Sequence, residues 1–247
     1  MIPIKTLLLI FLALIFLLVA CGGASAQPSP ASSFNTIHLS IIPTFGSKNI
    51  LLTDSSFQAK DSHNVHIDVL KFYVSHIQFL KNGAIVLEEQ KSFHLIDAAI
   101  KASFDIVIPN KHSVPFDAVR FNLGIDSTTS VSGAMGGDLD PTKGMYWTWQ
   151  SGYVNFKCEG KSDLCKARNN EFQFHLGGYR QPYYCLQTVT FPVHNLNEII
   201  LQFNAETFLN HIDLTTHHHV MSPNAEAVRL SAIVANSFSM VKSNSAK

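Results

Sequence analysis

The chain of 247 residues carries 18 lysines and arginines against 18 aspartates and glutamates, a formal net charge of zero. That balance excludes the basic footprint of a nucleic-acid-binding protein and, equally, a strongly acidic surface. Past its first segment the length suits one sizeable domain, and the composition signal to follow is histidine, present 12 times.

At the N-terminus Lys5 precedes an apolar run from Leu7 to Ala20, the pattern of a secretory signal rather than a structural helix. The run is short for a transmembrane anchor and gives way at once to small residues. Its end, Leu18, Val19, Ala20, Cys21 and Gly22, matches the bacterial lipobox, in which small residues precede a cysteine that receives lipid before cleavage. Cys21 would then be the anchored mature N-terminus; cleavage after Ala24, Ser25 and Ala26 is the competing reading. Gln27 to Ser33 is a Pro, Ser and Ala tether with nothing to bury. The expected organisation is a signal at 1–20, lipidated cysteine and tether at 21–33, one domain at 34–241 and a disordered tail at 242–247.

Strand patterns fill the domain. Thr36 to Pro43 alternates Ile37, Leu39 and Ile41 with His38 and Ser40; Val65 to Val69 repeats the pattern, and Phe72 to Leu80 continues it in a new register. Asn82 and Gly83 both tolerate positive φ and signal a two-residue turn, so Ile85 to Leu87 should return as a hairpin arm. Further strands are expected at Ser103 to Ile108, Ala118 to Ile125, Glu171 to Leu176, Gln187 to Val193 and Ile199 to Phe208. Short strands spaced by polar turns predict an all-β fold, an antiparallel β-sandwich or barrel-like sandwich. A short C-terminal helix is expected with Ser222 as N-cap and Pro223 first, presenting Ala225, Val228, Ala232, Ala235 and Phe238 on one face.

The most distinctive stretch runs from Gly144 to Gly160 and holds both tryptophans. Read as a strand, it puts Trp147 and Trp149, with Met145, in one polarisable row, packed between sheets or facing solvent, and Gly152 marks a bulge. The Thr, Ser, Gly and Asp-rich loop from Ser127 to Lys143 leads straight into it and is expected to wall a site at the sheet's edge. Asp126, Asp138 and Asp140 in that loop lack calcium-loop spacing and read as turn formers. With Cys21 lipidated, Cys158, Cys165 and Cys185 remain. Export favours one disulfide, with Cys158–Cys165 the simplest pair, Cys165–Cys185 nearly equivalent and Cys158–Cys185 open. Taken singly, His38, His63, His66, His76 and His175 read as exposed or hydrogen-bonded histidines, although Gly177 and Gly178 admit close approach of another segment beside His175. The run His217, His218 and His219, with His211 before it, is a loop whose adjacent imidazoles either ligate a metal such as copper or zinc or simply occupy a mobile loop.

GMYWTWQSGYVNFKCEG, NEFQFHLGGY, the segment from Leu70 to Phe79 and HHHVMSPNAEA together resemble the MbnP-like family of secreted bacterial copper-associated proteins, from near Ile37 to about Phe238. The resemblance implies copper as cofactor, held by histidines among His175, His211, His217, His218 and His219. It further implies that Trp147 or Trp149 takes part after oxidation to kynurenine by a dihaem peroxidase-like (MbnH-like) partner. That oxidation would replace a donor-only indole N–H with an aniline nitrogen and a carbonyl, both able to complete a two-histidine site. The chain departs from better-known members at Pro43, Thr44, Phe45 and Gly46, where they carry a histidine shortly after the first strand begins. There is no G-x-S-x-G elbow, H-E-x-x-H, P-loop or Rossmann pattern, and no enzymatic activity is expected. The competing expectation is a metal-free cell-surface sandwich whose Trp and Tyr residues contact glycan or protein. Either way the chain is expected to be periplasmic or on the cell surface, attached to a membrane through its lipid.

Overall fold

The computed structural model describes residues 36–52, 55–59, 62–150, 152–193 and 197–241. The expected signal, the lipidated Cys21, the tether and the tail lie outside these residues. Strands β1 (Thr36–Phe45), β2 (Lys48–Asn49) and β3 (Ser56–Gln58) lead into β4 (Asn64–Lys81), followed by β5 (Ala84–Glu88), β6 (Phe93–Asp97), β7 (Asp105–Pro109) and β8 (Ala118–Leu123). Helix α1 (Ser127–Val131) precedes a hairpin of β9 (Tyr146–Trp147) and β10 (Gly152–Tyr153), then β11 (Phe156–Ser162) and β12 (Glu171–Leu176). A second small hairpin, β13 (Tyr179–Arg180) and β14 (Tyr183–Tyr184), precedes β15 (Gln187–Pro192) and β16 (Glu198–Asn204). The chain ends through α2 (Ala205–Leu209), β17 (His219–Val220), α3 (Ala225–Asn236) and β18 (Phe238–Met240).

The fold is a two-sheet β-sandwich. Its larger sheet is built on β4, 18 residues long, with β3, β6 and β5 along one edge and β11 and β8 along the other. Strands β12 and β17 extend the sheet from β11, and β15 extends it from β8. The register change expected between Val69 and Phe72 occurs inside this one strand. Asp68 is passed over opposite Glu159 and Gly160, so the residues facing the main core shift from Val65 and Ile67 to Leu70 and Phe72. Gly160 is required there: a Cβ would lie 2.1 Å from the His66 carbonyl oxygen. A second bulge at His76, where φ is 50°, shifts the parity back to Ile77 and Phe79.

The five-stranded sheet pairs β1 with β7 and β2 on one side and with β16, then β18, on the other. The β1–β16 and β12–β17 ladders are parallel, so the sandwich is not purely antiparallel. Between the sheets Phe72, Phe156, Phe203, Phe208 and Phe238 interlock, with contacting ring centroids 5.0 to 6.4 Å apart. Helix α3 closes this core with Ala227, Leu230 and Val234.

Three element boundaries differ from expectation. The strand beginning near Ile199 stops at Asn204, whose side-chain oxygen accepts from the Glu206 and Thr207 amides and starts α2. Asn224, not Ser222, caps α3 through the Ala227 amide, and Phe238 lies beyond the helix in β18. The stretch from Ser103 opens within a 3-10 turn, Lys101–Phe104, before β7 begins.

Candidate functional site

The Gly144–Gly160 stretch is not one strand. The chain reverses between Trp147 and Gly152, which face each other across the β9–β10 hairpin, so Thr148 to Gln150 form its turn. The expected row is thereby split: Trp147 is 7% exposed and Trp149 64% exposed, their rings still touching at a centroid distance of 5.7 Å and a tilt of 46°. Trp147 belongs to a second, smaller core with Tyr73, Leu95, Ile125, Leu139, Met145, Tyr153 and Val154. This core lies on the face of β4 that Tyr73 presents away from the inter-sheet core, beneath the loop from Ser127 to Lys143.

Asp126 and Asp140 are turn formers, as expected, whereas Asp138 ties the loop to β6 and to Lys143. Asp126 caps α1 by accepting from the Thr129 amide and hydroxyl, and Asp140 does the same for Thr142. Asp138 accepts from the Leu95 amide and from Lys143 Nζ, while its carbonyl accepts from the Tyr73 hydroxyl. The loop covers the face of the sheet instead of walling its edge.

The anticipated close approach at Gly177 is made by Trp147 itself. A Cβ on Gly177 would stand 2.8 Å from Trp147 Cζ3 and 2.6 Å from the Tyr153 carbonyl oxygen. Gly177 follows His175 by two residues and so shares its side of the extended chain. His175 is buried, 8% exposed, and its Nε2 lies 2.5 Å from Glu159 Oε1, to which Lys157 Nζ also donates at 3.2 Å. Burial is the largest influence on His175 and holds its pKa below the ordinary value against the pull of Glu159; the charges of Lys157 and His219 act in the same direction as burial. Burial works against the Glu159 carboxylate, but hydrogen bonds and charge from His175 and Lys157 outweigh it and hold the pKa low. The neighbourhood therefore favours a neutral imidazole beside an ionised carboxylate.

Of the five candidate histidines, the fold brings His175 and His219 together. Gln173, two residues before His175, pairs with His219 across the β12–β17 ladder, which gives both histidines the same sheet face. His211 is exposed and its Nδ1 donates to the Thr207 carbonyl at 2.7 Å; His217 is exposed with Nδ1 2.8 Å from the Thr216 hydroxyl. His218 contributes its carbonyl to the Gln173 amide. Among the described residues no three His, Cys, Asp or Glu side chains converge as metal ligands. The expected disulfide is not formed either: Cys158, Cys165 and Cys185 are free and buried. Cys158 faces the main core from β11, while the Cys165 thiol donates to the Glu171 carbonyl. Sequence reasoning passed over Lys157 and Glu159, because only the Lys157–His175 register of β11 and β12 makes them neighbours of the imidazole.

The sequence matches the MbnP family over residues 34–222. The chain belongs to the MbnP family. The fold is similar to that of MbnP from Methylosinus trichosporium, with a TM-score of 0.56 at 12% identity over 78% of this chain and 86% of that one. At that identity the likeness is one of fold. Curated proteins give no match. In this MbnP-family chain the buried His175, the exposed His219 and the Trp147 indole thus share one side of the β11–β12–β17 edge, with Trp149 at its surface.

Proposed function

We propose that this MbnP-family chain is an exported copper-binding protein, tethered to a membrane through lipidated Cys21, in which His175 and His219 hold the ion beside Trp147. One observation carries the reading: the buried His175 spends Nε2 on Glu159, which leaves Nδ1 as the nitrogen with a lone pair. A carboxylate that fixes the tautomer of a neutral imidazole is the usual support behind a metal-binding histidine. The donor set fits a soft or borderline ion, with two imidazoles on one face and the Trp147 ring over Gly177, two residues beyond His175. His175 and His219 would hold the metal, while Lys157 and Glu159 would keep the imidazole oriented. When bound, copper would be carried in a form accessible from the sheet edge.

Two donors leave the set short. Trp147 would supply the remainder once a dihaem peroxidase-like partner, using peroxide as oxidant, had cleaved its indole C2–C3 bond with addition of two oxygens and water had released C2 as formate. That would leave kynurenine, with an aniline nitrogen in place of the donor-only N–H and a ketone at the former C3. Its contact with Gly177 supports Trp147, rather than Trp149, as the residue converted. Copper titration tests the reading on protein purified from its native membrane, together with the intact mass of the peptide spanning both tryptophans. Native protein should show added mass on that peptide and a copper affinity that His175→Ala and His219→Ala each weaken. Unmodified tryptophans with the same affinity in both variants would overturn it. The exposed Trp149 and Tyr183 would then favour a metal-free module that contacts glycan or protein.

A further inference from the structure

We infer that Trp149 is an electron relay, an exposed indole through which a surface oxidant reaches the buried Trp147. The choice of Trp147 as target rests on the copper reading above, whereas the electron path needs no bound metal. At 7% exposure, Trp147 is walled by its hairpin, by Gly177 and by the Tyr153 backbone, so no oxidant with a bulky redox centre can touch its ring. Trp149 is 64% exposed and lies against that ring at 5.7 Å between centroids. It joins solvent to Trp147 through two aromatic systems in contact.

Two of the phenols on the inward side are poor sinks. In the small core that holds Trp147, Tyr73 and Tyr153 meet at 5.9 Å between centroids, and Tyr146 meets Tyr153 at 5.0 Å. The Tyr73 hydroxyl donates to the Asp138 carbonyl and the Tyr153 hydroxyl to the Gly133 carbonyl. Neither amide oxygen is a base able to accept the proton that an oxidised phenol must release. Neither of these two phenols therefore drains the electron vacancy from the indole pair.

The step balances as two single-electron transfers. A high-potential metal complex or haem centre outside the protein takes one electron from Trp149 and is reduced by one. Trp147 then passes one electron to the Trp149 radical cation, which returns to its closed-shell form and leaves the radical cation on Trp147. No bond breaks in either transfer.

Photo-oxidation of copper-free protein tests the relay. Tris(bipyridine)ruthenium under visible light, with a cobalt(III) pentaammine complex as terminal acceptor, generates a soluble one-electron oxidant too large to enter the hairpin. Tandem mass spectrometry then locates added oxygen on each tryptophan separately. The native chain should gain oxygen on Trp147 despite its burial. Trp149→Phe, which keeps a ring in place but is not oxidised, should reduce Trp147 oxidation to the dark-control level, and Trp149→Tyr should restore part of it. Acrylamide quenching of Trp147 fluorescence in the Trp149→Phe protein should show the indole still buried. Unchanged Trp147 oxidation in Trp149→Phe, or native oxidation confined to Trp149, would overturn the inference. Copper titration of the His175 and His219 variants judges the metal site separately, so either reading can fail alone.

Discussion

Replacing Gly177 with alanine places one methyl group where the hairpin meets β12. The added Cβ would lie 2.6 Å from the Tyr153 carbonyl oxygen and 2.8 Å from Trp147 Cζ3, when ordinary contact begins at 3.4 Å. The Tyr153 side is backbone, held by the Tyr146 pairing across the hairpin, so the strain falls on the Trp147 ring and on the β9–β10 turn. Overpacking of this kind costs about 1–3 kcal/mol. For a domain of this size, each kcal/mol lowers Tm by roughly 2–4 °C. Thermal melts followed by intrinsic fluorescence report both effects, since Trp147 is the buried emitter and Trp149 the exposed one. Gly177→Ala should melt lower and emit further to the red. Gly136→Ala, whose added Cβ would meet nothing within 4 Å, should match the native chain. If Gly177→Ala has native Tm and emission, the indole does not stand over Gly177 and the proposed site is misplaced.

Acid should weaken the domain in two stages. Burial, foremost, holds the folded His175 pKa below its ordinary 6.5, so the unfolded chain binds the extra proton and stability falls as pH drops below that value. Glu159, held below its ordinary 4.5 by its donors in spite of burial, contributes stability above that pH and loses it beneath. Melting temperatures across this range should show the upper stage vanish in His175→Gln; an unchanged profile would refute the assignment. Asn155→Ala should cost about 1–3 kcal/mol in urea denaturation, because it leaves the buried Ile125 amide without its acceptor. A neutral result would mean that water replaces the side chain there. Cys21→Ser should move the protein from the membrane to the soluble fraction, and unchanged membrane association with unchanged processing would refute the lipid anchor.

The strands were legible wherever one face is core and the other solvent, as in β1, β8 and β12, because alternation follows directly from burial. Tyr73 shows where that logic fails. It is fully buried between Phe72 and Val74, since β4 is covered on both faces there, and a strand so covered loses its period. The tryptophan hairpin hid for a different reason: Thr148 and Gln150 are the polar residues of a turn, but the alternation around them imitates a strand. At the site, His175 was visible as a residue and Gly177 as a point of close approach. Glu159 was not, because its place beside His175 depends on the loop length between β11 and β12. The separation of His211 and His217 from His219 follows from local bonds to Thr207 and Thr216 that no spacing rule anticipates.

The parallel pairing of β1 with β16 makes the two ends of the domain depend on each other. Ile37, Leu39 and Ile41 find their full setting only after Ile199, Leu201 and Phe203 have been made, and β18 then covers the far edge of β16. A chain emerging N-terminus first can pair β1 with β2 and β7 but leaves its other, apolar edge open through most of synthesis. Contacts this distant in sequence slow folding, and an unpaired apolar edge is open to another copy of itself in the meantime. Yield should respond more to chaperone supply and to the rate of chain delivery than to substitutions that raise final stability, and truncation before Phe238 should send the product into aggregates.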